Sequence, residues 1–132
     1  MNRRYNLLEK DSYYYYRMGE ESFNKNEIEH AIQYYLESVK LRKHYKTYER
    51  LYECCNCINQ KDIANYFIRL AYEENNSNDK VSFLYSKYLV EQNKLNEAKQ
   101  ILLEIMERNP SYKQAKMEYE KLINKVNYFI IK

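Results

Sequence analysis

Three asparagines recur at nearly equal intervals along this chain of 132 residues. Asn26 and Asn59 are 33 residues apart, and Asn59 and Asn93 are 34 residues apart. An internal repeat of this length predicts a stack of similar units, because one unit alone cannot cover its own apolar face. Apolar residues at helical spacing follow each asparagine, so we interpret the unit as two helices joined by a turn.

The apolar residues after each asparagine define one helical face per unit. These faces are Ile28, Ala31, Ile32, Tyr35 and Val39, then Ile63, Tyr66, Phe67 and Leu70, and finally Leu95, Ala98, Leu102 and Ile105. The first helix of each pair is predicted over residues 12–24, 46–58 and 79–92. The asparagine between the paired helices predicts a residue at positive φ, where asparagine is the usual substitute for glycine.

Glycine and proline occur once each, as Gly19 and Pro110. Average usage is roughly 7% and 5%, and glycine-rich phosphate loops need several glycines close together. The composition therefore predicts an all-α fold and excludes those loops. The net charge is +3, with basic and acidic residues interspersed, which differs from the clustered basic surface of a nucleic-acid-binding protein.

The repeat resembles the tetratricopeptide repeat. Tyr15, Gly19, Ala31 and Tyr35 match the family's bulky, small, alanine and aromatic positions in the first unit. The third unit matches at Ser86, Ala98, Leu102 and Pro110, with Ser82 at the bulky position. The middle unit departs from the pattern, since Tyr52 occupies the small position and one extra residue is needed near Lys61.

The resemblance implies the architecture of the whole chain. We expect a right-handed α-solenoid of about three helix–turn–helix repeats, over residues 12–44, 45–78 and 79–110. A capping helix over residues 111–130 would complete a single domain that spans residues 1–132.

The resemblance also implies a concave groove, lined by the first helix of each repeat, that binds a peptide or protein. The positions expected to line it are Tyr13, Tyr16, Glu20, Lys46, Arg50, Glu53, Lys80, Phe83 and Lys87. Tyr15 is instead expected to pack between the paired helices. Tyrosine rings provide contact area at low entropic cost, and the interspersed charges favour a partner that carries both signs.

One familiar ligand of the family is not expected here. Some members grip the C-terminal carboxylate of a chaperone with a lysine and an asparagine one helical turn apart. This chain has Tyr16 and Glu20 at those positions, and an acid there would repel a carboxylate.

The sequence favours an interaction protein over an enzyme. Cys54 and Cys57 form a C-x-x-C pair, but they lie inside a predicted helix rather than at its start, where a redox thiol needs its pKa lowered. A zinc site needs four ligands, and no second pair at matching spacing occurs. We therefore expect no metal, no cofactor and no catalytic residues, and we interpret these cysteines, with Cys55, as packing residues.

Two alternatives to a peptide-binding adaptor stay open. The apolar C-terminus, with Tyr128, Phe129, Ile130 and Ile131, either folds back on the last repeat or offers a surface to a partner or a second copy of the chain. RNA binding by the helical repeats is a weaker alternative, because the charge is mixed. No signal peptide or apolar membrane span is evident. The three closely spaced cysteines, Cys54, Cys55 and Cys57, do not suit a secreted disulfide scaffold, so we expect a cytoplasmic protein.

Overall fold

The computed structural model describes residues 10–131, apart from the side chains of residues 126, 128, 129 and 131. Within this range the chain forms seven α-helices and no strand. The helices are α1 (Ser12–Asn24), α2 (Ile28–Leu41), α3 (Tyr45–Cys57), α4 (Lys61–Glu74), α5 (Asp79–Glu91), α6 (Leu95–Arg108) and α7 (Lys113–Ile131). The predicted all-α fold of repeated helix pairs is confirmed.

The described helices belong to two compact units. The first unit extends to Glu74 and contains α1 to α4, where α1 packs on α2, α2 on α3 and α3 on α4. The second unit begins at Asn75 and contains α5 to α7, where α6 packs on both α5 and α7. Within each unit, neighbours in sequence are neighbours in space, as expected of stacked repeats. The assignment of residues 1–132 to one domain stays a prediction.

Each of the three asparagines ends a helix in the same way. Asn26, Asn59 and Asn93 have φ angles of 62°, 59° and 59°, which confirms the predicted positive φ. In the first turn the N–H of Glu27 donates to the carbonyl of Ser22 at 2.9 Å, and the N–H of Asn26 donates to that of Phe23 at 3.0 Å. These two bonds form a Schellman motif, which satisfies carbonyls that a helix end leaves unpaired. The other two turns repeat both bonds.

Replacing Asn59 by alanine is expected to lower the free energy of unfolding by about 1 kcal/mol, because alanine has a larger penalty at positive φ. Asn59→Gly should be neutral within about 0.5 kcal/mol, since glycine adopts this conformation freely. Asn56→Ala is the matched control, because Asn56 lies inside α3. Urea unfolding followed by circular dichroism measures all three. Equal stability of the Asn59→Ala and Asn59→Gly variants would contradict the role of the turn.

Small residues set the distance between paired helices. Ala31, Ala64 and Ala98 have no exposed surface, and neither has Tyr35, which is the fully buried ring of the first pair. Tyr35 lies against Gly19, where a Cβ atom would be 2.5 Å from Cε1 of the ring. Tyr15, which is expected to pack between the paired helices, is half-buried, and its ring lies edge-on to Tyr14 at 5.2 Å.

The predicted apolar face of α4 is wrong by one residue. The buried residues of α4 are Ala64, Ile68 and Ala71, whereas Ile63 and Tyr66 are 47% and 50% exposed. The predicted extra residue near Lys61 is likewise absent, because α4 begins two residues after Asn59, just as α2 begins two residues after Asn26. Close approach of α3 and α4 favours the small alanines at the contact over the larger Ile63 and Tyr66.

The same register explains how the middle pair accommodates Tyr52. In the first pair Gly19 faces the large Tyr35. A shift of 33 residues gives Tyr52 and Ile68, so the larger ring moves from the second helix to the first. Tyr52 is half-buried, and the smaller Ile68 is fully buried.

Candidate binding surface

Charged and aromatic side chains from three helices converge around Arg50 in the first unit. Tyr16, Glu20 and Phe23 follow one another along α1 at spacings of four and three residues, so they share one face. Arg50 and Glu53 are three residues apart on α3, and Tyr35 reaches the same place from α2. We call these six residues the Arg50 cluster.

The carboxylate of Glu20 is the acceptor at the centre of the Arg50 cluster. Its Oε1 accepts from Nε of Arg50 at 2.8 Å and from the hydroxyl of Tyr35 at 2.5 Å, and its Oε2 accepts from Nη2 of Arg50 at 3.2 Å. Nη1 of Arg50 donates to Oε2 of Glu53 at 2.9 Å. Two-pronged contacts of this kind are geometrically specific, so Arg50 and Glu20 fix α3 against α1.

Aromatic rings flank this ion pair. The guanidinium carbon of Arg50 lies 4.8 Å from the centroid of the Phe23 ring, within cation–π range. The rings of Tyr16 and Tyr35 are 6.0 Å apart. The side chains of Arg50, Glu20 and Glu53 stay 31%, 24% and 24% exposed, so the cluster is at the edge of the core rather than inside it.

The Arg50 cluster shifts the acidity of its members. Burial raises the pKa of the Glu20 carboxyl, but the hydrogen bonds from Arg50 and Tyr35 outweigh burial and hold that pKa below its ordinary value. Burial, together with the nearby Glu20 carboxylate, raises the pKa of the Tyr16 and Tyr35 hydroxyls. Glu20 therefore remains an anion and both phenols remain protonated at neutral pH.

This arrangement changes what the predicted charged residues offer a partner. Glu20, Arg50 and Glu53 were expected to face a partner, and the structure does bring them together. They are hydrogen-bonded to one another, however, so they first hold α1, α2 and α3 in place.

A cleft of about 920 Å³ opens beside the Arg50 cluster, within the first unit. Its walls come from the start of α1, the end of α2 and the start of α3. Three predicted residues line it, namely Tyr13, Tyr16 and Lys46, and so do Lys10, Asp11, Ser12, Ser38, Leu41, Arg42, His44 and Thr47.

Two serines tie the base of this cleft together. The hydroxyl of Ser38 donates to the carbonyl of Ser12 at 2.7 Å, and the hydroxyl of Ser12 donates to the carbonyl of Ser38 at 3.0 Å. Ser38 is 1% exposed. The start of α1 is therefore anchored to the end of α2, and the cleft is preformed.

The walls of the cleft combine rings with cations. Tyr13 is 65% exposed, with the guanidinium of Arg17 5.7 Å from its ring centroid. Lys10, Arg42 and Lys46 are exposed. The sequence pattern missed Lys10, Arg42 and His44, because they lie outside the helices and no periodicity marks such positions.

The remaining predicted residues lie on α5, in the second unit. Nζ of Lys87 is 5.6 Å from the centroid of the Phe83 ring, and that ring is 5.8 Å from Tyr112 in an edge-on arrangement. Lys80 is exposed at the start of the same helix. These three residues form a separate set within their unit.

Two of the three cysteines are core residues, as expected, whereas Cys57 is not a buried packing residue. Cys54 and Cys55 are 0% and 4% exposed, and Cys57 is exposed. Burial raises the pKa of the Cys54 thiol to about 12, the opposite of what a redox thiol requires. In the part of the chain that the structure describes, no group of three histidine, cysteine or acidic side chains is placed to hold a metal ion.

No helix among the described residues combines the length and the apolar character that a membrane crossing requires. At the C-terminus the side chains of Tyr128, Phe129 and Ile131 lie outside the described residues, and Ile130 is 75% exposed. Self-association through this segment stays a prediction.

No protein-family model and no curated protein sequence matches this chain. Solved structures do match its fold. The first tetratricopeptide-repeat domain of Spaghetti (RPAP3), bound to the HSP90 peptide SRMEEVD, is 18% identical with a TM-score of 0.71, over 89% of this chain and 94% of that one.

Two further structures are similar to a comparable degree. The C-terminal repeat domain of a putative FK506-binding protein from Plasmodium falciparum is 21% identical with a TM-score of 0.70, over 93% of both chains. The Yersinia enterocolitica secretion chaperone SycD, in complex with a peptide of the translocator YopD, is 15% identical with a TM-score of 0.62, over 86% of this chain and 90% of that one. The resemblance found in the sequence is thereby confirmed: this chain has the tetratricopeptide-repeat fold.

Proposed function

We propose that this chain is a protein-interaction module that binds a peptide or protein segment along α1 and α3 of its first unit. The observation that carries the proposal is the preformed cleft, where the exposed ring of Tyr13 and the half-buried ring of Tyr16 adjoin cationic side chains. Clefts of a few hundred to about 1,000 Å³ are the size that binds ligands in proteins. Structures of similar fold were solved with bound peptides, which supports the same use here.

The proposed ligand differs from a chaperone tail gripped at its C-terminal carboxylate. The positions of that grip are occupied by Tyr16 and Glu20, and both oxygens of Glu20 already accept from Arg50. A carboxylate also has no proton to donate to another carboxylate. Extension of the surface to Lys80, Phe83 and Lys87, an adaptor role, a partner of mixed charge and a cytoplasmic location stay predictions, and RNA binding stays the weaker alternative.

Replacing Tyr13 by alanine is expected to weaken peptide binding by about tenfold, because tyrosine is enriched among the few interface residues whose truncation costs more than about 1 kcal/mol. Peptides are first selected from a random display library on the immobilised wild-type protein. Their dissociation constants are then measured by fluorescence polarisation for the wild type and each variant.

Tyr66→Ala is the matched control. Tyr66 is also a half-exposed ring with an arginine over it, Arg69 at 5.4 Å, but it lies on α4, away from the cleft lining. The control should bind as the wild type does. A library that enriches no peptide, or equal losses in the two variants, would contradict the proposed surface.

A further inference from the structure

We propose that the cleft recognises an acidic segment within a peptide chain, in which carboxylates flank an aromatic or aliphatic residue. This inference rests on the proposed function and names the chemistry of its ligand. It concerns side-chain carboxylates inside a chain rather than a terminal carboxylate.

The charges that line the cleft are unbalanced. Lys10, Arg42 and Lys46 form no ion pair within residues 10–131, and all three border the cleft. Asp11 is the acidic residue of the lining, and its carboxylate accepts from the backbone N–H of Tyr14 at 2.8 Å as the N-cap of α1. The cleft therefore presents three cations and one carboxylate, and that carboxylate already caps the N-terminus of α1.

The neighbouring acids do not offset this excess. Both oxygens of Glu20 are hydrogen-bonded to Arg50, and Glu53 accepts from the same guanidinium. A partner of mixed charge was expected because Glu20 and Glu53 were counted as available. With Arg50 they leave the cluster with one net negative charge, which is smaller than the excess of the three cations over Asp11 in the lining, so the charge that remains for a ligand at the cleft is still positive.

His44 adds a hydrogen-bond donor to the lining of the cleft. Nδ1 of His44 accepts from the backbone N–H of Lys46 at 3.2 Å, and the His44 ring stacks on Tyr45 with centroids 5.0 Å apart. With Nδ1 acting as an acceptor, the proton of a neutral imidazole is on Nε2. That nitrogen can donate to a carboxylate.

The apolar part of the cleft requires more than a small anion. Tyr13 and Leu41 are 65% and 58% exposed, and both line the cleft with Tyr16. A volume of about 920 Å³ exceeds the needs of a single carboxylate or phosphate. An acidic peptide segment with one ring or aliphatic side chain satisfies the cations and the apolar wall together.

The test compares two capped peptides on the full chain. The acidic probe EEDFEEDL is acetylated, amidated and labelled with fluorescein, and QQNFQQNL is its uncharged counterpart. The acidic probe should bind at least tenfold more tightly at low salt. Its affinity should fall as salt is added, because the Debye length shortens to about 10 Å at 0.1 M.

Two triple variants locate the effect. Replacing Lys10, Arg42 and Lys46 by glutamine should weaken binding of the acidic probe by about tenfold, since each exposed cation–carboxylate pair contributes a factor of about two to three. Replacing Lys99, Lys113 and Lys116 by glutamine removes the same charge from exposed positions of the second unit. This control should leave the affinity unchanged.

Three results would overturn the inference: equal binding of the two probes, equal losses in the two triple variants, or displacement of the acidic probe by a short polyuridylate that binds more tightly. These results concern the acidic ligand and can be distinguished from a failure of the proposed binding surface. Display-selected peptides whose binding depends on Tyr13 but not on Lys10, Arg42 and Lys46 would leave the binding surface intact and refute its acidic ligand.

Discussion

Replacing Tyr35 by alanine is expected to lower the free energy of unfolding of the first unit by about 3–5 kcal/mol, as for other buried aromatic residues. The side chain is fully buried in the first helix pair. Its loss opens a cavity beside Gly19 and removes the hydroxyl that donates to Glu20 at 2.5 Å. Urea unfolding followed by far-ultraviolet circular dichroism measures the change.

Two companion variants separate packing from hydrogen bonding. Tyr35→Phe keeps the ring and loses the donor, and it should cost about 1–2 kcal/mol, because Arg50 still pairs with the partly exposed Glu20. Tyr66→Ala removes a ring of the same unit that is 50% exposed, and it should cost less than about 1 kcal/mol. Equal losses for Tyr35→Ala and Tyr66→Ala would show that Tyr35 is not a core residue.

Replacing Gly19 by alanine is expected to destabilise the first unit by about 1–2 kcal/mol, although alanine is the better helix former. The helix propensity of alanine contributes about 1 kcal/mol in favour of the variant. Overpacking opposes it by about 2–3 kcal/mol, the upper part of its usual range, because the new Cβ atom would be 2.5 Å and 2.6 Å from Cε1 and Cδ1 of Tyr35. The ring has little room to move, since it is buried and hydrogen-bonded to Glu20.

A double-mutant cycle tests this explanation directly. In the third helix pair the corresponding residues are Ser86 and Leu102, a small polar residue and an aliphatic one. Tyr35→Leu should therefore relieve the clash created by Gly19→Ala. The double variant should lose less free energy of unfolding than the two single variants lose together, by about 1 kcal/mol or more. Additive losses would mean that Gly19 and Tyr35 do not compete for the same space.

The repeat could be predicted from the sequence because each of its turns requires a particular type of residue. Asn26, Asn59 and Asn93 recur where the backbone needs a positive φ, and asparagine tolerates that conformation better than most residues. Helix 12–24 was predicted with its observed bounds, and helices 46–58 and 79–92 differ from α3 and α5 by one residue.

The face of α4 could not be chosen from periodicity alone. Ile63 and Tyr66 fit a helical period as well as Ala64, Ile68 and Ala71 do, and they are more hydrophobic or larger. The deciding factor is the space between α3 and α4, which favours alanine at the contact. That distance is a property of the packed pair rather than of either segment.

Contacts between side chains that are far apart in the sequence also could not be predicted from the sequence. Glu20, Arg50 and Glu53 were assigned to the binding surface by their positions in the repeat. Those positions do not predict that Arg50 pairs with Glu20, which is 30 residues away. Likewise, Lys10, Arg42 and His44 meet at the cleft because three helix ends come together there. Their positions follow from the packing of α1, α2 and α3.

Hydrogen–deuterium exchange of the full chain, with and without a display-selected peptide, tests the proposed binding surface most directly. Backbone amides of residues 10–20 and 42–50 should exchange more slowly when the peptide is bound, while those of α4 should keep their rates. Slowed exchange confined to α4 or α7, with the start of α1 unaffected, would contradict the account.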